Sequence, residues 1–329
     1  MKIPIEYGKT LLPESLPKGT QWLVITTKPI LDTVMDRLQG LTAQIHVDPD
    51  MEEGALEQWT KQLPPTEAVL GIGGGVCMDA AKYVSWKRSL PLYLAPSVIS
   101  VDAPLTDAIA VRREKKVHYV GKVFPEAVLI DYTLVQGAPK HLNRAGAGDI
   151  LSIHTALWDW DLAAREKGEK YDENIARQSA ALLDRLEEAA EEVAHVTEEG
   201  IQTIVELYQA EVDLCMELGS SRPEEGSEHF WAYNAEYVTK KDFVHGELVV
   251  LGVLLMSALQ QNHVDRARAL AQKLQVRFRP QELSISHEKL LTSLVTAKEY
   301  ARRENLAYSV IDAKPITREK AEELVRGLG

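Results

Sequence analysis

The chain has 329 residues, with 37 basic against 49 acidic side chains. The resulting formal charge of −12 excludes nucleic acid and anionic membranes as its main partners. Cys77 and Cys215 lie in separate helical segments and the amino terminus has no apolar core, so a reducing cytoplasm is expected. The longest apolar run, 248–259, is interrupted by a glycine and a serine and falls short of the roughly twenty residues of a membrane span.

The first part of the chain alternates β-rich runs with helical patterns. Residues 21–27 (QWLVITT) read as a strand, 30–38 as a helix, 43–47 as a strand, 51–63 as a helix, and 68–72 as the next strand. A helix containing Lys82 follows, then a strand over 91–95, an exposed hairpin with a charged tip over 109–122, and a last strand over 127–130 that ends at Asp131. This alternation predicts a parallel sheet with right-handed crossovers. Beyond Gly137 the apolar period becomes helical, over 149–165, 172–196, 198–218, 224–238, 245–261 and 287–303. A final helix is expected from an N-cap at Thr317 to about Gly327. The expected fold is an α/β Rossmann-like nucleotide-binding domain, 1–137, followed by an all-helical domain, 138–329, with the site in the cleft between them.

The strand at 68–72 runs into Gly73, Gly74 and Gly75 and then a helix start. Glycines let backbone approach a ligand closely, and a helix start offers unpaired N–H groups and a positive dipole end. The turn therefore reads as a diphosphate mouth, although it matches neither the spaced-glycine dinucleotide fingerprint nor the phosphate loop. Lys82 is placed to meet a phosphate or ribose, and Asp79 to hold the first turn or a ribose hydroxyl.

Three places in the helical half carry metal-ligand types: Asp149 after a glycine turn (AGAGD), His229 in SSRPEEGSEH, and His245 in FVHGE. An aspartate at a helix start also reads as an N-cap. His229 and His245 are 16 positions apart, which at about 100° per residue puts them on nearly opposite sides of one helix. To share an ion they must stand on two elements, and the polar break at 239–242 allows that. Two imidazoles and a carboxylate leave a coordination position open, as catalytic centres do, and suit zinc or another divalent transition metal.

These motifs together resemble the superfamily of iron-containing alcohol dehydrogenases, glycerol dehydrogenases and dehydroquinate synthases. The resemblance is nearest to the sn-glycerol-1-phosphate dehydrogenase branch. It spans GIGGGVCMDAAK at 71–82, APSVISVDAP at 95–104, AGAGDILS at 145–152, SSRPEEGSEH at 220–229 and HGE at 245–247. It implies NAD(P)H across the cleft, a divalent metal (zinc, with nickel or iron as alternatives) on Asp149, His229 and His245, and reduction of dihydroxyacetone phosphate. It further implies that Gly73, Gly74 and Gly75 hold the cofactor diphosphate with support from Asp79 and Lys82, that Ser97 and Ser100 lie near the nicotinamide, and that Asp102 stands beside the substrate. A homo-oligomer is also implied.

The chain departs from the family at several positions. The first strand runs into Thr27-Lys28 where related sequences often place an acidic residue that repels a 2′-phosphate, so NADP(H) should be accepted. Tyr233 stands where a second histidine is usual, and Glu224 and Glu225 replace small residues. Those carboxylates would repel a phosphate unless they point to solvent, and Arg222 could compensate as an anion clamp. Tyr233 and His154 are the candidate proton donors. An unphosphorylated polyol as substrate, and a decayed nucleotide-binding protein, remain open as alternatives. A dehydroquinate synthase-type cyclase is disfavoured by the lack of a lysine-rich phosphonate-binding pattern.

Overall fold

The computed structural model describes residues 3–114 and 116–328 and divides into two compact units, Met1–Pro139 and Lys140–Gly329. The first carries strands β1 (Ile5–Gly8), β2 (Gln21–Thr26), β3 (Thr42–Val47), β4 (Ala68–Gly73), β5 (Leu92–Pro96), β6 (Ala108–Arg113), β7 (Lys116–Lys122) and β8 (Ala127–Asp131). Six of them form one parallel sheet in the order β1-β8-β5-β4-β2-β3, and β6 and β7 form a separate antiparallel pair, the expected hairpin. β4 and β8 are buried along their whole length, as nearly continuous apolar runs require when both faces of a parallel sheet are covered.

The chain passes from β2 to β3 at one edge, then returns to β4 on the other side of β2. The direction of winding thus reverses between β2 and β4, and in open α/β sheets ligands bind beyond the strand ends at such a reversal. Thr27 and Lys28 follow β2 there, Gly74 and Gly75 follow β4, and Ser97 follows β5. β1 was not anticipated. Its four residues carry no readable period, and the strand is made by pairing with β8, from Ile5 opposite Val128 to Gly8 opposite Asp131.

In the second unit the expected 172–196 helix divides at Ala189 into Glu173–Glu188 and Ala190–His195, and the 287–303 helix divides at Thr296 into His287–Val295 and Ala297–Arg303. Neither break carries a glycine or proline. Helices at Lys140–Ala145, Val264–Lys273 and Val310–Ala313, and one at Tyr132–Gly137 at the end of the first unit, also lie outside the expectation. The last helix is as expected: the Thr317 hydroxyl accepts the Lys320 N–H at 3.2 Å and Gly327 ends it. The His245–Gln260 helix is apolar all round and buried from Gly246 to Ser257, which makes it the central rod of this unit. Among the described residues no helix is long and apolar enough to cross a membrane.

Candidate metal centre and glycine turn

Asp149, His229 and His245 come from three helices of the second unit, Ala147–Lys167, Ser227–Thr239 and His245–Gln260. The chain leaves the Ser227–Thr239 helix through Lys240, in the left-handed region, and re-enters a helix at His245. The two imidazoles therefore stand on separate elements, as their spacing required. Asp149 is not the N-cap, a place taken by Gly146; it sits inside the first turn, where the helix dipole favours negative charge.

Two glycines bring these helix starts into contact. A Cβ on Gly148 would fall 2.4 Å from the Gly246 carbonyl oxygen, and one on Gly246 only 1.8 Å from the Ala145 carbonyl oxygen. Each glycine neighbours a ligand candidate, so the AGAGD and HGE motifs are the close approach that sets Asp149 against His245.

One ligand atom from each of the three residues lies within 4.8 Å of the others. Nε2 of His245 is 3.4 Å and Nε2 of His229 3.8 Å from Asp149 Oδ1. These separations are too long for good hydrogen bonds. They suit atoms sharing one ion, since tetrahedral bonds of about 2.05 Å put ligands about 3.4 Å apart. Asp149 Oδ1 is itself buried and, among the described residues, has no partner at hydrogen-bonding geometry. Burial opposes charge on His229, yet the Asp149 and Glu228 carboxylates outweigh it and raise the imidazole well above its ordinary pKa. The site thus attracts positive charge, and the donor set fits a divalent transition metal.

Neighbouring polar groups are already committed. Glu247 takes a two-pronged contact from Arg277 at 2.7 and 3.1 Å. Asp159, wholly buried, accepts the Ser227 and Val310 N–H groups, while burial and the Glu228 charge push its carboxyl up to about 7. Tyr233 donates its hydroxyl to Glu225 at 2.8 Å, and its ring centroid is 6.1 Å from that of His229.

Three side chains expected at ligands are engaged within the protein. Arg222 is 4% exposed and grips Glu169 at 2.8 and 2.9 Å and the Tyr308 carbonyl at 2.9 Å through Nε and Nη2, while its Nη1 is buried with no hydrogen-bond partner among the described residues. His154 bonds the Asn262 carbonyl at 2.9 Å and burial lowers its pKa, so it is held neutral and engaged elsewhere. Lys82 is wholly buried, with its ammonium 2.6 Å from the Ala108 carbonyl and 2.9 Å from Asp79 Oδ1. Asp79 also accepts the Ala110 N–H, so this pair ties β6 to the Gly75–Arg88 helix and leaves no ammonium to meet a phosphate.

The glycine turn itself has the anticipated form. Gly73 has φ +152°, and a Cβ there would lie 2.4 Å from the Cys77 sulfur, so only glycine fits. Burial raises the Cys77 thiol to about 12, which leaves it inert. The Ser97 N–H bonds the Gly73 carbonyl at 2.9 Å, holding the segment after β5 against the turn, and the half-buried Ser100 and Asp102 follow along that segment. Lys28 is exposed, and the sequence reading missed its partner: Asp48, at the end of β3, accepts the Lys28 N–H at 3.0 Å and faces its ammonium at 3.5 Å.

Residues 18–139 match the family model of iron-containing alcohol dehydrogenases. The chain is 30% identical to the glycerol-1-phosphate dehydrogenase [NAD(P)+] of Aeropyrum pernix, over 95% of this chain and 90% of that protein. It is 32% identical to that of Hyperthermus butylicus, over 79% of this chain and 74% of that one. Among solved structures, a probable glycerol dehydrogenase from Sinorhizobium meliloti superposes with a TM-score of 0.74 at 20% identity, covering 99% of this chain and 97% of its own, a likeness of fold. The chain belongs to the glycerol-1-phosphate dehydrogenase family of the iron-containing alcohol dehydrogenases.

Proposed function

We propose that this protein reduces dihydroxyacetone phosphate to glycerol 1-phosphate with NAD(P)H, using a divalent metal on Asp149, His229 and His245. The observation that carries the reading is the three-residue cluster, with a buried Asp149 oxygen that accepts no hydrogen bond. The names of the similar proteins supply the substrate and cofactor. Zinc is the first choice of metal, with nickel and iron as alternatives. When bound, the ion supplies Lewis acidity to a carbonyl oxygen as it gains negative charge.

The protein's own part divides by unit. In the first, Gly73, Gly74 and Gly75 let a diphosphate reach the helix start, while Thr27, Lys28, Ser97 and Ser100 flank it and Asp102 stands beside the substrate. Lys28 tolerates a 2′-phosphate, so NADP(H) is accepted; Asp48 partly neutralises it, and NADH is used as well. In the second unit Asp149 gives the centre its net negative charge. Of the two candidate proton donors, Tyr233 is the one whose ring lies beside His229, with its hydroxyl on the Glu225 carboxylate, whereas His154 is held by the Asn262 carbonyl. The polyol and decayed-site alternatives lose ground to the relatives and to the intact triad. A cytoplasmic homo-oligomer completes the proposal.

NADPH and NADH oxidation with dihydroxyacetone phosphate and with dihydroxyacetone, after metal loading, tests it. We expect kcat/KM for the phosphorylated ketone to be higher by about a hundredfold or more. Equal or faster turnover of dihydroxyacetone overturns the substrate, and a far lower KM for NADH than for NADPH overturns the cofactor choice.

A further inference from the structure

Glu228 stands one residue before His229, and its side chain is wholly buried. A buried carboxylate is costly unless donors surround it. Here three do: the Gly226 N–H at 2.6 Å and His229 Nδ1 at 2.9 Å on Oε1, and the Thr155 hydroxyl at 2.7 Å on Oε2. The surroundings fit closely, since a Cβ on Gly226 would lie 3.1 Å from Glu228 Oε2 and 2.9 Å from Asp159 Oδ2. Thr155 belongs to the helix that carries Asp149, so Glu228 links the helices of two ligand candidates.

A carboxylate can only accept at His229 Nδ1, so Nδ1 carries the hydrogen, and when a bound cation displaces the ring's second proton it is Nε2 that has the lone pair. That lone pair belongs to the atom 3.8 Å from Asp149 Oδ1. We propose that Glu228 is a positioning residue of the metal centre, fixing His229 in the Nδ1–H tautomer, locking its ring orientation, and strengthening Nε2 as a donor to a divalent cation. The inference rests on the metal reading of the triad. Carboxylates that orient a ligating histidine in this way change metal affinity about ten- to a hundredfold when removed.

The test is zinc affinity, by competition with a chromophoric chelator, for the wild type, E228A, E228Q and H229A, with circular dichroism as the folding control. E228A should bind zinc ten- to a hundredfold more weakly, and its Co²⁺ complex should show a shifted visible spectrum. E228Q, which keeps an acceptor oxygen without the charge, should fall between E228A and the wild type. Folded E228A and E228Q with wild-type zinc affinity overturn the role of Glu228 while leaving the metal reading intact, provided H229A loses zinc. Wild-type affinity in H229A overturns the metal reading and this proposal with it. If the Glu228 variants do not fold, ¹⁵N-histidine spectra of the zinc-loaded wild type, with His229 identified by its absence in H229A, decide the tautomer: a protonated Nδ1 is expected, and a proton-free Nδ1 overturns the proposal.

Discussion

Asp131 and Asp149 are both buried carboxylates, one in each unit, and they are held in opposite ways. Asp131 Oδ1 accepts the Thr133 and Leu134 N–H groups and the Thr133 hydroxyl, and Oδ2 takes the Leu11 N–H and the Arg37 guanidinium. Protein donors fill that carboxylate, and its task is to fasten β8, the helix it caps and the segment after β1 to one another. Among the described residues Asp149 Oδ1 accepts no well-formed hydrogen bond, and it faces two imidazoles beyond good hydrogen-bonding distance. The contrast separates a structural carboxylate from a candidate ligand by what is left over after the protein's own donors are counted.

The largest expected effect lies on the unfilled side of this comparison. D149N and H245A should each lower turnover by about a thousandfold or more, since Lewis-acid stabilisation is worth several kcal/mol. D149N should cost the metal-free protein far less stability than D131N does. Next comes the filled side: D131N removes one partner of a buried ion pair and should destabilise by about 3 kcal/mol in urea unfolding, without changing metal content. Burial pushes the Asp131 carboxyl up, but its donors and Arg37 outweigh this and hold it below the usual value. Its stabilising contribution is therefore complete above about pH 4 and is lost as pH falls through the folded value, and D131N should flatten that acid limb. A metal lost from D131N, or an unchanged stability, would break the comparison.

A smaller effect sharpens it. K82M should cost about 2 kcal/mol, because the Ala108 carbonyl and Asp79 lose a buried donor, while KM for NADH stays within about twofold of the wild type. A tenfold rise in that KM at wild-type stability would return Lys82 to the phosphate.

The same distinction explains what was legible in the sequence. The alternation of strands and helices, the hairpin and the Gly73–Gly75 turn were readable, because each depends on local period or on residue type, and the meeting of Asp149, His229 and His245 followed from residue type together with the family resemblance. Even the need for two elements under His229 and His245 followed from spacing alone. What failed were assignments that depend on whether a polar group is already partnered. Lys82 and Arg222 look like anion binders in one dimension, but Ala108 with Asp79, and Glu169, claim them in three. Asp48 escaped notice because its meaning comes from β3 lying beside β2. β1 has no pattern of its own, and the helix breaks at Ala189 and Thr296 come from packing without a breaker residue. Glu228 left one signal, an acid directly before a candidate ligand, and only its three donors give that signal content.

The central claim is that Asp149, His229 and His245 share an ion. Zinc content after metal stripping, reloading and dialysis, compared between the wild type and D149N with both shown to be folded, tests it most directly. The account predicts about one tightly held zinc per wild-type chain, the single site that three protein ligands define, and none in D149N. A wild type that retains no zinc, or nickel or iron offered in its place, would contradict it, as would a D149N variant that retains as much metal as the wild type.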